Sequence, residues 1–136
     1  MRRVAAGLIL TVVAGCGGGT AASVSKADCV RPDASGVITI SANAMRFSAP
    51  CMIAPADTAF TIHFVNREGT PHDVAIYDDS SKAKAEFRGD TITGPQASID
   101  YAIPALPAGE YYFECIVHPP DMHGPLYVEA ATPSGS

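Results

Sequence analysis

From Val37 onward the chain alternates. Apolar side chains recur at every second position in short runs, and Gly, Pro, Asn or Asp interrupts each run. Phe60, Ile62 and Phe64 fall on one face of such a run, with Thr61, His63 and Val65 opposite. In the next, over residues 72–77, His72, Val74 and Ile76 share a face, and Asp73, Ala75 and Tyr77 share the other. Ile99, Tyr101 and Ile103 are in phase within 98–103, as are Tyr111, Phe113 and Cys115 within 110–116. Residues 37–40 read as a further strand, and 124–130 closes the series with Leu126 and Val128 inward. A period of two puts successive side chains on opposite sides of a sheet. No long stretch has helical periodicity; residues 82–87 read as one short helical turn. Short strands with one apolar face predict an all-β chain folded as a Greek-key β-sandwich of antiparallel sheets.

Such a fold gathers strand ends, and here the ends carry metal-binding side chains. His72 opens one predicted strand. Cys115 lies near the end of another, and the run Cys115-Ile116-Val117-His118-Pro119-Pro120-Asp121-Met122 follows from it. If these strands are neighbours, a thiolate, two imidazoles and a thioether meet at one end of the sandwich. Two histidines, one cysteine and a weak axial methionine are the donors of a blue-copper site. The thiolate bonds copper in both oxidation states, and the thioether is too weak to impose the square geometry that Cu(II) prefers. Zinc competes for Cys and His, but thioether is a poor zinc ligand, so Met122 favours copper. Pro119 and Pro120 stiffen the loop by fixing φ.

The N-terminus describes where the chain goes. Met1-Arg2-Arg3 precedes a small, apolar run to Ala14, which fits a signal peptide over residues 1–15. The run is shorter than the roughly 20 apolar residues that span a bilayer. It ends Val13-Ala14-Gly15-Cys16, similar to the lipobox of bacterial lipoproteins, so Cys16 is the expected lipidation site. The alternative is an ordinary secretory leader in which Cys16 is incidental. Residues 16–28, with three glycines after Cys16, read as a flexible tether, 29–131 as one domain, and 132–136 as a disordered tail. An exported lipoprotein anchored at the cell envelope, periplasmic or on the outer face of the plasma membrane, is expected.

The chain has 9 basic and 14 acidic residues; without Arg2 and Arg3 seven basic residues remain and the balance is −7. Phosphate backbones need basic patches, so nucleic acid is not an expected partner. With Cys16 assigned to lipid and Cys115 to metal, Cys29 and Cys51 remain. In an exported domain they read as a disulfide; two separate buried thiols are the alternative.

Taken together, these residues resemble the cupredoxin family of plastocyanin, azurin and amicyanin. Phe64-Val65-Asn66 with Pro71-His72-Asp73-Val74 is similar to the family's first-ligand segment. The run from Pro107 to Cys115 is similar to its last strand before the ligand loop, and His118, Met122 and Gly124 complete the likeness. The resemblance implies one type 1 copper held by His72, Cys115 and His118, with Met122 axial. It also implies electron entry at the edge of His118. Two features depart from the family. Three residues separate His118 from Met122, between the amicyanin and plastocyanin spacings. Asp73 stands where plastocyanins usually have Asn, and an ionised carboxylate can only accept hydrogen bonds.

The remaining candidates read as structural. His63 is expected on a solvent-side face and His123 at the surface beside the loop. Asn66 is expected either to tie the two ligand segments together or to end a strand. Met45 and Met52 read as core fillers. No nucleophile triad, phosphate-cradling glycine loop or carboxylate pair is present, so no enzyme activity is expected. The expected function is single-electron transfer between envelope redox partners, through a transient contact with a redox protein or oxidase, by a monomer. The alternative is a lipoprotein that buffers copper or delivers it to an envelope oxidase.

Overall fold

The computed structural model describes residues 23–131. The leader read at 1–15, the expected lipidation site Cys16 and the tail at 132–136 lie outside the described residues. A 3₁₀ turn, Lys26–Asp28, occupies the end of the segment read as a tether; the Ser25 hydroxyl caps it by accepting from the Ala27 N–H. Nine strands follow among the described residues: β1 (Val37–Asn43), β2 (Arg46–Phe47), β3 (Met52–Pro55), β4 (Phe60–Asn66), β5 (Ala75–Tyr77), β6 (Ala85–Arg88), β7 (Ala97–Ile103), β8 (Gly109–Glu114) and β9 (His123–Glu129). No helix among the described residues is long and apolar enough to cross a membrane.

The strands form two sheets, ordered β2-β1-β4-β7 and β3-β9-β8-β5-β6. β4 shows why they pack: Phe60, Ile62, Phe64 and Asn66 are buried, and the residues between them are half-exposed. Ile38 and Ile40 of β1, Tyr101 and Ile103 of β7, Phe113 of β8, and Leu126 and Val128 of β9 join the same core. Aromatic pairs bridge the two layers. Phe47 on β2 lies 5.3 Å from Phe113 on β8, and Phe87 on β6 lies 5.5 Å from Tyr101 on β7, within the range where ring pairs attract.

The β-sandwich follows the expected architecture, with four differences. Two pairings are parallel, β1 with β4 and β3 with β9. Parallel neighbours need a long connection, and the chain between β1 and β4 provides one by crossing to the other sheet as β3. Second, β2, β3 and β6 are too short to show an alternation. In β3 both faces are covered: Met52 and Ala54 join the core, while Ile53 packs with Cys29, Cys51 and Tyr127. Third, residues 82–87 form no helical turn. Lys82 sits in a turn at φ 60°, and β6 pairs antiparallel with β5, where Phe87 reaches the Tyr101 ring. Fourth, the strand expected from His72 begins at Ala75, and His72 instead makes an isolated bridge with Ile92.

Cys29 and Cys51 are joined by a disulfide, which excludes separate thiols. It staples the N-terminal segment beside β3, where Val30 pairs with Met52. Replacing both cysteines with alanine is expected to lower stability by about 3 kcal/mol, the chain-entropy value for a loop of this length, measured by urea unfolding. Gly124 allows another close approach. A Cβ there would collide with the Pro50 carbonyl oxygen and lie 3.0 Å from Phe113 Cε1. Gly124→Ala is expected to cost about 1–3 kcal/mol, as overpacking does, seen as a lower urea midpoint at unchanged slope.

Candidate metal centre

At one end of the sandwich three connections meet: the β1–β2 turn, the β4–β5 loop and the β8–β9 loop. The β1–β2 turn has Ala44 and Met45 at φ 51° and 58°, the two-residue hairpin geometry that needs positive φ at both central positions. Its N–H groups point into the β4–β5 loop and donate to Glu68, Ala44 at 3.1 Å and Met45 at 3.0 Å. These bonds, that of Met45 foremost, hold the Glu68 carboxyl below its ordinary pKa.

Glu68 in turn fixes His72. Its Oε1 lies 2.7 Å from His72 Nε2. An ionised carboxylate only accepts, so Nε2 carries the proton. In the neutral ring Nδ1 then presents a free lone pair, directed toward Cys115 Sγ 3.7 Å away. A carboxylate behind a histidine is a recurrent way to orient a metal ligand. The backbone is held as firmly: His72 and Ile92 exchange N–H···O bonds of 3.0 and 2.9 Å. Asn66, fully buried, donates to the carbonyls of Thr70 and Ile92 and accepts from the Glu68 N–H. It therefore secures the His72 loop to itself and to the Ile92 segment, and makes no bond to the Cys115 loop.

Cys115 follows directly on β8, which places its side chain on the inner face with Phe113. The loop then turns twice and closes on itself. His118 N–H donates to the Cys115 carbonyl, Met122 N–H to that of His118, and Cys115 N–H to that of Met122, at 2.9–3.1 Å. Asp73 ties this loop to the first. Its Oδ1 accepts from the Ile116 N–H at 2.7 Å and its Oδ2 from the Thr91 hydroxyl at 3.0 Å. The accept-only carboxylate is thus suited to its position.

One donor atom each from His72, Cys115 and His118 lies within 4.8 Å of the others. His118 Nδ1 is 3.8 Å from Cys115 Sγ, and the two imidazole rings are 4.9 Å apart. Burial pushes the Cys115 thiol above its ordinary pKa, and the nearby Asp73 charge adds to this; N–H groups of Asp73, His118 and Val117 act in the opposite direction. Binding a metal through the thiolate therefore releases a proton. Two borderline nitrogens and one soft sulfur, closely grouped and with no carboxylate in the cluster, fit copper. Met122 is fully buried in the same core cluster as Cys115.

Other candidates stand apart from the cluster. His63 is partly exposed and pairs with Asp100 on the outer face of β7's sheet. His123 is exposed and stacks on Tyr112, with ring centroids 5.6 Å apart. Met52 is buried as expected, whereas Met45 is half-exposed because its turn projects from the strands. Sequence reasoning missed Glu68 and Thr91 as site residues. An acidic residue four positions before a ligand histidine was the available signal for Glu68. Glu68→Ala is expected to weaken copper binding by about 10–100-fold, the usual cost of losing a ligand-orienting partner, measured by competition with a chelator.

The sequence profile of the Cupredoxin-like domain family matches residues 9–128. No curated protein matches the chain. Among solved structures, dithionite-reduced auracyanin from Roseiflexus castenholzii is similar at 18% identity and TM-score 0.61, covering 71% of this chain and 99% of that one. Amicyanin from Paracoccus versutus is similar at 32% identity and TM-score 0.50, covering 71% of this chain and 84% of that one. Auracyanin A, a blue copper protein from Chloroflexus aurantiacus, is similar at 17% identity and TM-score 0.61, covering 68% of this chain and 98% of that one.

Proposed function

This chain belongs to the cupredoxin-like domain family, and from that premise we propose that it is a type 1 copper protein carrying single electrons between redox partners of the cell envelope. The observation that carries this reading is the grouping of two imidazole nitrogens and one buried thiol within 4.8 Å. In this reading His72, Cys115 and His118 would hold the metal, with the Met122 thioether as a fourth, weak ligand. Copper bound there would supply the one-electron couple between Cu(II) and Cu(I).

The residues around the site serve that task by not moving. His72 is held at ring and backbone, Cys115 by β8, and the loop by its own bonds. Donors that stay in place between oxidation states leave little reorganisation for an electron to wait on. His118 is half-exposed and offers an edge for electron entry and exit. Ile116 and Val117, 38% and 42% exposed, lie beside it with Pro119 and Pro120. An apolar rim of this size suits brief docking with a redox protein. The donor cluster stands alone among the described residues, and the reading assigns no catalytic step. Acylation at Cys16 after loss of residues 1–15 would keep this monomer at a membrane surface near its partners.

Titration of the protein with Cu(II), followed by absorption and EPR, tests the reading. One equivalent is expected to give an intense blue thiolate-to-copper band with narrow hyperfine splitting, and Cys115→Ser to abolish both. Cu(II) binding without that band, or retention of Cu(I) alone, would replace electron transfer with copper trafficking. A folded domain that binds no copper would remove both.

A further inference from the structure

We propose that the Asp73 carboxylate lowers the reduction potential of the centre, so that the reduced protein is disposed to give its electron away. The inference rests on the copper reading above and concerns a side chain that contributes no donor atom to the cluster. Asp73 is 3% exposed. Both of its oxygens are occupied by donors, Oδ1 by the Ile116 N–H and Oδ2 by the Thr91 hydroxyl. A backbone amide can only donate, so Oδ1 is an acceptor toward the Cys115 loop.

Among the described residues Asp73 forms no ion pair. Among the described residues, the lysines that pair with carboxylates do so elsewhere: Lys26 with Glu129, Lys84 with Glu86 and Lys82 with Glu114. The contrast with Glu114 is direct. It is likewise buried and adjoins Cys115 in the chain, but Lys82 Nζ lies 3.1 Å from its Oε2. Around the cluster, then, the Cys115 thiolate, Glu68 and Asp73 contribute three negative charges. With Cu(II) the sum is −1; with Cu(I) it is −2. Opposite charge is worth more, and excess charge costs more, where water is excluded. The arrangement therefore favours the oxidised state. Transfer to a one-electron acceptor protein moves one electron from Cu(I) to that acceptor, with no bond made or broken and no proton moved.

The geometry does not itself require the charge. Asparagine has nearly the same shape; its Oδ1 would accept from the Ile116 N–H, and its Nδ2 would donate to the Thr91 hydroxyl oxygen. What the carboxylate adds is one negative unit next to the thiolate loop.

Mediated redox titration of the copper-loaded protein, monitored by the blue band at fixed pH, tests this. Asp73→Asn is expected to leave band position and EPR splitting unchanged. It should shift the Cu(I)/Cu(II) ratio at a given applied potential toward Cu(I) by at least about tenfold, which is ~59 mV for one electron. Thr91→Val, which keeps the charge and removes one bond, is expected to produce no such rise. Should the Asn variant fail to fold, Asp73→Ser gives the same reading of charge. An unchanged or lower potential without the charge would overturn the proposal, as would an equal rise in Thr91→Val, which would assign the effect to geometry. Both results leave the copper reading intact. Absence of the blue band in the unaltered protein would instead remove that reading, and this inference with it.

Discussion

The Glu68 carboxylate joins parts of the chain that otherwise have no reason to stay together. It receives two amides from the β1–β2 turn and faces the Nε2 proton of His72. The turn amides belong to residues held at positive φ, with their N–H groups turned outward from the strands. Left alone they would be unpaired donors near a partly buried loop, which costs free energy. Glu68 satisfies them and passes the constraint on to the imidazole. Tautomer and ring direction of the buried histidine therefore depend on a hairpin in the neighbouring strand pair. Asp73 performs the matching task for the other loop, where its carboxylate receives the first amide after Cys115.

The sandwich explains why these links suffice. β4 and β8 belong to different sheets, and each delivers its loop to the same end. The core between them is continuous, with Phe47, Phe64, Tyr101 and Phe113 in ring contact across it. Close-packed interiors resist small displacements, so the strand ends keep their separation and the loops need to fix only direction. This division fits the residue types. Strands supply large apolar side chains, with Asn66 at the end of β4, and the loops supply carboxylates and prolines.

Much of this was legible in the sequence because it rests on local pattern. The faces of β4, β7, β8 and β9 follow from alternation, and His72, Cys115, His118 and Met122 stand out as uncommon side chains at the ends of alternating runs. What was not legible depends on contacts distant in the chain. Glu68 precedes a Gly-Thr-Pro turn and reads as an ordinary loop residue until the amides of Ala44 and Met45 are placed beside it. Met45 reads as an apolar core residue, yet the turn that needs its backbone carries its side chain partly into solvent. Asn66 reads as a tie between the two ligand segments, but its amide bonds the Thr70 and Ile92 carbonyls and not the Cys115 loop. β3 gives no sequence signal because its outer face is covered by the disulfide-linked N-terminal segment, and a strand buried on both sides has no alternation to read.

A donor cluster of this kind opposes folding in the absence of metal. A buried thiol and two imidazoles contribute little apolar burial, and burying polar groups is unfavourable. In small metal-binding domains the metal itself then supplies much of the folding free energy. Here the scaffold also has bonds of its own. The site's backbone bonds, the Glu68 and Asp73 links, the core and the Cys29–Cys51 disulfide involve none of the donor atoms of His72, Cys115 or His118, apart from the Nε2 of His72 that faces away from the cluster. A scaffold whose bonds do not depend on the donor atoms can hold them in one arrangement for both oxidation states. The same rigidity that makes the metal-free site costly is what an electron carrier needs, because a ligand set free to relax in one state would slow the return to the other.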